Sequence, residues 1–297
     1  MLVNPFTEKY TTDTTDNKLI DEALSGNKKS LEELVYRHQA WIYNVALRMV
    51  FYPQEAEDVT QEILIKIITK LSTFRKESSF RTWVYRIVVN QVLNMKKSIG
   101  EQRHASSFEE YWRNIENTPD HELPKQEHYD VEMRVLVNEV KVSCMSGMLL
   151  CLDREQRLIY ILGVIFQVTD KIGAEIMEIT RDNFRQKLSR ARKQIFNFMH
   201  DKCGLMNKNN PCKCEKKTKV LIDVGYVNPK KLLFNVNYVR SVEAAAKEKT
   251  ERFDNLMDER SQKLFRENPF QDPPDFRESI REILKHKEFR DIFNFTN

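Results

Sequence analysis

Apolar residues recur at helical spacing in "LEELVYRHQAWIYNVALRMV", where Leu31, Leu34, Val35, Trp41, Ile42, Val45 and Leu47 mark one stripe, and again in "DVTQEILIKIITKLSTF". Both stretches predict amphipathic helices. Between them "FYPQEAED" carries a proline and a cluster of acids, the composition of a helix stop followed by a negatively charged helix start. Three to four helices follow for residues 16–98. The period lapses over 99–130, where eight Asp or Glu outnumber three Lys or Arg and two prolines interrupt the chain. That stretch predicts a flexible acidic linker, either a solvated spacer or a segment that occupies a basic channel of a partner.

The helical pattern returns over 131–202. "VEMRVLVNEVKVSCMSGMLL" is followed by "DREQ", which offers Asp153 as an N-cap and Gln156 three residues later, before the apolar "RLIYILGVIF". In "VTDKIGAEIMEITRDNFRQKLSRARKQIFNFM" two helical stretches are separated by "EIT", and the second gathers positive charge. This is a helix-turn-helix pattern. From 203 to 297 the character changes to a cysteine- and lysine-rich knot, a charged helical stretch around 237–267, a "NPFQDPPD" break and a last amphipathic helix at about 275–293. Phe253, Leu256, Met257, Leu264, Phe265, Ile280, Ile283, Leu284, Phe289 and Ile292 give these tail helices an apolar side that could fold back on the preceding domains.

Composition supports the all-α reading: 41% hydrophobic and 31% charged residues with only 7 glycines and 9 prolines suit helices better than turn-rich sheets. At 297 residues the chain exceeds what one core usually fills, so several domains are expected. The longest strongly apolar run, "LIYILGVIF", is too short to span a bilayer, and the first residues have no apolar signal core, which predicts a cytoplasmic protein without a membrane segment. Catalytic signatures are missing too: no phosphate-cradling glycine loop, nucleophile elbow or His-Glu hydrolase motif occurs, so an enzyme is not expected.

A net charge of +4 is too mild to identify a polyanion partner, but its distribution is uneven. Over 181–193 six positive charges face one negative, with Leu188, Ala191 and Ile195 as the buried stripe. Arg and Gln near the start of such a helix suit a major groove, and later residues suit phosphates. A second segment, "ESSFRTWVYRIVVNQVLNMKK", has no acid after Glu77. If Ser79 caps a helix here, Trp83, Ile87 and Val88 face its neighbours and Arg81, Arg86, Asn90, Asn94 and Lys97 lie on or near another surface. Phe74 and Phe80 flank the polar loop, where an unstacked base could rest against an aromatic ring; the same rings would also serve as core.

"AEDVTQEILIKIITKLSTFRKESSFRTWVYRIVVNQVLNMKK" resembles region 2 of the extracytoplasmic-function (ECF) sigma factors of bacterial RNA polymerase, and "LDREQRLIYILGVIFQVTDKIGAEIMEITRDNFRQKLSRARKQI" is similar to their region 4. The resemblance spans roughly 25–200. It implies a sigma region 2 at 16–98, an acidic linker at 99–130, a sigma region 4 at 131–202 and a C-terminal extension at 203–297. Asp58, Gln61 and Glu62 would meet the β′ clamp helices of the polymerase core, with the β flap as a further contact. Phe74, Arg81, Arg86, Asn90 and Asn94 would recognise and help melt the minus-ten element of promoter DNA. Arg185, Gln186, Ser189 and Arg190 would read the minus-thirty-five element. Glu178 stands in the turn where many relatives have glycine, and Phe184 where many have valine. An anti-sigma factor is a further partner that the family suggests.

Five cysteines, three of them between 203 and 214, fit a reducing compartment better than a disulfide framework. His200, Cys203, Cys212 and Cys214 are close enough in sequence for one tetrahedral zinc site, although the Cys-x-Cys spacing is tighter than usual. Redox-active thiols and a purely structural turn remain open alongside zinc, and the sigma role itself requires no cofactor. A rival reading is a metal- or redox-sensing helix-turn-helix regulator that acts without core polymerase.

Overall fold

The computed structural model describes residues 13–122, 131–234, 262–266 and 271–285. Twelve helices carry the description: α1 (Asp13–Leu24), α2 (Lys28–Val50), α3 (Pro53–Lys70), α4 (Phe80–Asn94), α5 (Ile99–Arg103), α6 (Phe108–Asn117), α7 (Val131–Leu150), α8 (Arg154–Tyr160), α9 (Asp170–Met177), α10 (Arg181–Lys202), α11 (Cys214–Asp223) and α12 (Phe276–Ile283). Among the described residues there is no strand beyond one isolated bridge, and no helix is long and apolar enough to cross a membrane. The all-α fold follows the patterning. Two compact units form, one from Met1–Gln102, Arg154–Ser189 and Pro269–Asn297, the other from Arg103–Asp153 and Arg190–Asn268. Each unit thus combines stretches that are distant in sequence.

The first unit is built on α2, α3 and α4. Asn27 caps α2 by accepting from the Lys29 and Ser30 amides, Pro53 opens α3 where its missing N–H is harmless, and Ser79 caps α4 by accepting from the Thr82 amide at 3.1 Å. Trp41, Ile42, Val45, Ile63, Leu64, Val84 and Tyr85 are buried between these helices, with the Trp41 and Tyr85 rings 4.2 Å apart. Each such aliphatic side chain contributes about 1.5–3 kcal/mol. Beneath them Trp41 Nε1 donates to His38 Nδ1 at 3.1 Å, so the proton on Nε2 points at Asp16, 3.1 Å away. With the Arg37–Asp16 pair at 3.2 Å, these hydrogen bonds hold α1 on α2.

Two arginines fasten α8 to this bundle. Arg154 grips both oxygens of Glu101 (2.8 and 2.6 Å) and donates to the carbonyls of Leu93, in the last turn of α4, and of Lys96 just beyond it. Arg157, 2% exposed, donates to the Met49 carbonyl at 2.6 Å and to Glu101 at 3.2 Å. Burial alone would raise the Glu101 pKa, but the Arg154 hydrogen bond, the Ser98 amide and the Arg157 charge outweigh it and hold the carboxyl at about 2.

The tail reaches α2 as well. Asn44 and Gln271 exchange hydrogen bonds, side-chain amide to backbone, at 2.9 and 3.0 Å, and Gln39 accepts from the Phe276 amide at 3.1 Å. Phe276, Ile280 and Leu284 are buried, while Arg281 makes a two-pronged pair with Glu32 at 2.7 and 2.6 Å. Of the helix expected at 275–293, Phe276–Ile283 is helical and the part beyond residue 285 lies outside the described residues, as do most of 237–267 and Phe253, Leu256, Met257, Phe289 and Ile292.

In the second unit α6 lays Phe108, Tyr111 and Trp112 around Phe198, and Tyr111 Oη donates to the Cys144 carbonyl at 2.8 Å. Gly147 makes room for that phenol, since a Cβ there would come within 2.9 Å of its oxygen. Leu136 and Val140 of α7 pack with Cys214 and Val227, and buried Glu139 accepts from the Leu233 and Phe234 amides. The stretch expected to be an aperiodic linker therefore contains α5 and α6. Ser107 caps α6 through the Glu110 amide, and its apolar side is aromatic rather than aliphatic, which a count of acids and prolines overlooks. Past α6 the acids meet the tail: Lys216 pairs with Glu122 at 2.8 Å and Lys217 with Asp120 at 3.0 Å.

Candidate polymerase and nucleic-acid surfaces

Asp58, Gln61 and Glu62 sit at i, i+3 and i+4 on α3 and so share a face. Asp58 is exposed and Gln61 half-buried. Beside them Glu57 titrates above the ordinary carboxylate range, because burial and then the Asp58 charge disfavour its ionised form. Glu62 is also a brace: it accepts from Gln91 Nε2 at 2.5 Å, and Gln91 Oε1 accepts from Lys66, which ties α3 to α4. Glu55, in the first turn of α3, accepts from the Ile99 and Gly100 amides at 2.6 and 3.3 Å and so caps α5. That acid supports the fold.

Phe74 follows the short 3-10 turn Leu71–Thr73 and is buried, its ring 5.4 Å from Phe80 and 5.5 Å from Trp83. Phe80 and Trp83 stack at 5.6 Å. The aromatic residues thus form a floor, above which Arg75, Lys76 and Glu77 are exposed and Lys76 pairs with Asp21 at 2.7 Å. Along α4, Asn90 and Asn94 are exposed, with Asn94 Nδ2 donating to the Asn90 carbonyl at 2.9 Å, and Arg81 and Arg86 are half-buried. Acids do approach this acid-free segment from elsewhere: Glu62 of α3 at Gln91, and Glu175 of α9 with Glu178 just after it at Arg86. Arg86 lies 3.7 Å from Glu175 and 3.8 Å from Glu178, and its Nε makes no hydrogen bond among the described residues.

Thr169 caps α9 and Thr180 caps α10 through the Ile172 and Asn183 amides, which frames the turn Glu178–Ile179–Thr180. Glu178 has φ 54, left-handed backbone that costs a residue with a Cβ about 1 kcal/mol. Phe184 is fully buried against Gly173, where a Cβ would come within 2.3 Å of the ring, so the larger residue fills the space glycine leaves. Arg185, Gln186, Ser189 and Arg190 are all exposed on α10, and Arg185 is drawn toward Asp170 (2.5 Å) and Asp182 (3.4 Å).

Residues 34–101, which span this α2 to α5 arrangement, match the family Sigma-70 region 2. The sigma-H factor of Pseudomonas aeruginosa is 39% identical over 83 residues, 28% of this chain and 43% of that protein. The ECF sigma-E factor of Haemophilus influenzae is 36% identical over 88 residues (30% of this chain, 46% of that protein), and that of Escherichia coli K12 is 34% identical over 96 residues (32% and 49%). Over this region the chain is thus similar to region 2 of the sigma-70 family and to ECF sigma factors. It spans just under half the length of these curated relatives. A solved structure, CnrH in complex with the cytosolic domain of CnrY, is similar at 19% identity with a TM-score of 0.41, covering 61% of this chain and 94% of that one.

Beyond the region 2 match, the zinc site expected at His200, Cys203, Cys212 and Cys214 is not formed as a ligand group. No group of three or more His, Cys, Asp or Glu among the described residues is placed to hold an ion. His200 instead stacks on Phe196 at 5.3 Å, one helical turn away, and Cys214 is buried in the packing of α7 against α11. Cys203 and Cys212 face each other across the isolated bridge. Sequence reasoning missed the Arg154–Glu101–Arg157 cluster and the Arg86 contact with α9. The only hint of either was an unneutralised charge at each end, because the partners lie more than fifty residues apart.

Proposed function

We propose that this chain directs RNA polymerase core to promoters. In this reading Asp58, Gln61 and Glu62 meet the clamp helices of β′, where carboxylates pair with basic side chains. The loop after Phe74 and the α4 residues Arg81, Arg86, Asn90 and Asn94 take hold of the minus-ten strand. Extruding a base costs a few kcal/mol in lost stacking and pairing, which fixed cations and an aromatic floor offset. Arg185, Gln186, Ser189 and Arg190 read the minus-thirty-five element from the exposed side of α10. The observation that carries the proposal is the region 2 match at residues 34–101, in which the α3 acids stay at the surface and the α4 segment keeps its own sequence free of acids.

Arg86 must leave Glu175 and Glu178 before it can reach a phosphate, so α9 competes with DNA for this arginine. The chain on its own is then a weaker promoter binder than the chain docked on polymerase. Run-off transcription with core polymerase, with and without the protein, tests the function: promoter-dependent transcripts appear only with the protein, and Asp58→Ala lowers core binding. Duplex promoter binding by the chain alone, with no effect on transcription by core enzyme, would favour a helix-turn-helix regulator that acts without polymerase.

A further inference from the structure

At the end of α10 the backbone makes a short parallel pairing. The Cys212 amide donates to the Lys202 carbonyl at 3.1 Å and the Gly204 amide donates to the Cys212 carbonyl at 2.9 Å, so Cys203 and Cys212 are bridge partners. Paired segments of this kind run about 4.8 Å apart with partner side chains on the same side, within the roughly 4.4–6.8 Å between Cα atoms that a disulfide spans. The intervening loop is built to hold this register. Buried Asn210 donates to the carbonyls of His200 and Cys203 at 2.7 and 2.9 Å, and Gly204 lets the Cys212 carbonyl approach where a Cβ would lie 2.4 Å from it. All five cysteines are thiols in the structure.

We propose that Cys203 and Cys212 form a redox modification site that closes to a disulfide at the expense of a hydroperoxide. Cys212 is the half-buried member, with Lys213 and Lys217 close by to favour its thiolate, and Cys203 is buried behind it. The Cys212 thiolate attacks the outer peroxide oxygen, the O–O bond breaks, and the alcohol or water leaves with a proton, giving a sulfenic acid. The Cys203 sulfur then displaces the hydroxyl as water as the S–S bond forms. Two thiols are oxidised by two electrons and one hydroperoxide is reduced. Once formed, the bond fastens the end of α10 to the chain entering α11.

The test is independent of any transcription readout. The full chain is treated with hydrogen peroxide, remaining thiols are alkylated, and cysteine-containing peptides are mapped by mass spectrometry. The expected product joins Cys203 to Cys212, is reversed by a reductant, is abolished by Cys212→Ser and persists in Cys144→Ser. Repeating the oxidation in strong urea removes the preference for this pair, which shows that the folded loop directs it even if Cys212→Ser folds poorly. A dominant link to Cys144 or Cys214, or unchanged alkylation of Cys203 and Cys212 after peroxide, overturns the proposal.

Discussion

The α4 and α10 surfaces, each read as a DNA contact, solve the same electrostatic problem differently. Cations crowded on one helix face repel one another unless acids approach, and α10 keeps an acid of its own, Asp182, beside Arg185, with Asp170 contributed by α9. On α4 no acid is available in the helix, and Arg86 depends on Glu175 of α9 and Glu178 in the turn after it. The α10 surface thus has one acid of its own and borrows Asp170 of α9 and Glu155 of α8, whereas the α4 surface has none of its own and takes its acids from other segments. Arg154 and Arg157 fasten α8, the helix that leads toward α9, to the same bundle through Glu101 and the Leu93, Lys96 and Met49 carbonyls.

The strongest way to break this coupling is Arg157→Ala. It removes a buried guanidinium from Glu101 and from the Met49 carbonyl, and should cost about 3 kcal/mol in urea unfolding. Acid provides an independent check on the same cluster. A carboxyl held at about 2, against an ordinary value of 4.5, contributes its full stabilisation above about pH 4.5 and loses it as pH falls toward 2, a change of about 3 kcal/mol. That acid-dependent loss should shrink in the Arg157→Ala protein; an unchanged profile would show that Glu101 does not draw its low pKa from this arginine.

At the DNA surfaces the effects are smaller and should differ in kind. Arg185→Ala or Arg190→Ala should each weaken minus-thirty-five binding by about 1–3 kcal/mol in a fluorescence titration. The smallest change is expected from Glu178→Gly, which relieves left-handed strain of about 1 kcal/mol and also releases Arg86. Its thermal stability should stay within a few degrees of the parent, while its affinity for single-stranded minus-ten DNA rises several-fold. Equal affinity in the two proteins would show that α9 does not restrain α4.

Much of this architecture was legible in local signals. The stripes of α2 and α3, the Ser79 cap and the three-residue turn before α10 all depend on neighbours a few positions away, so periodicity and capping chemistry found them. What escaped has long-range causes. Helix α6 read as linker because its acids outnumber its bases, yet its stability rests on aromatic contacts with Phe198. His200 and the three nearby cysteines look like a ligand set in one dimension; the helix carries His200 onto Phe196, and the chain reversal pairs Cys203 with Cys212 instead. The residues proposed to meet DNA on α10 were legible because exposure there follows helix phase. For Arg86, phase gave the face but could not supply the acids opposite it.

The exchange of hydrogen bonds between Asn44 and Gln271 joins positions 227 residues apart. A ribosome delivers Asn44 long before Gln271, so during synthesis α2 must wait with that amide, Gln39 and the seat of Phe276 uncovered. The first unit is consequently a late-closing structure: its earliest helices receive their last cover only when the chain has been made through α12, and a nascent product halted short of that point leaves the patch open to water or to other proteins.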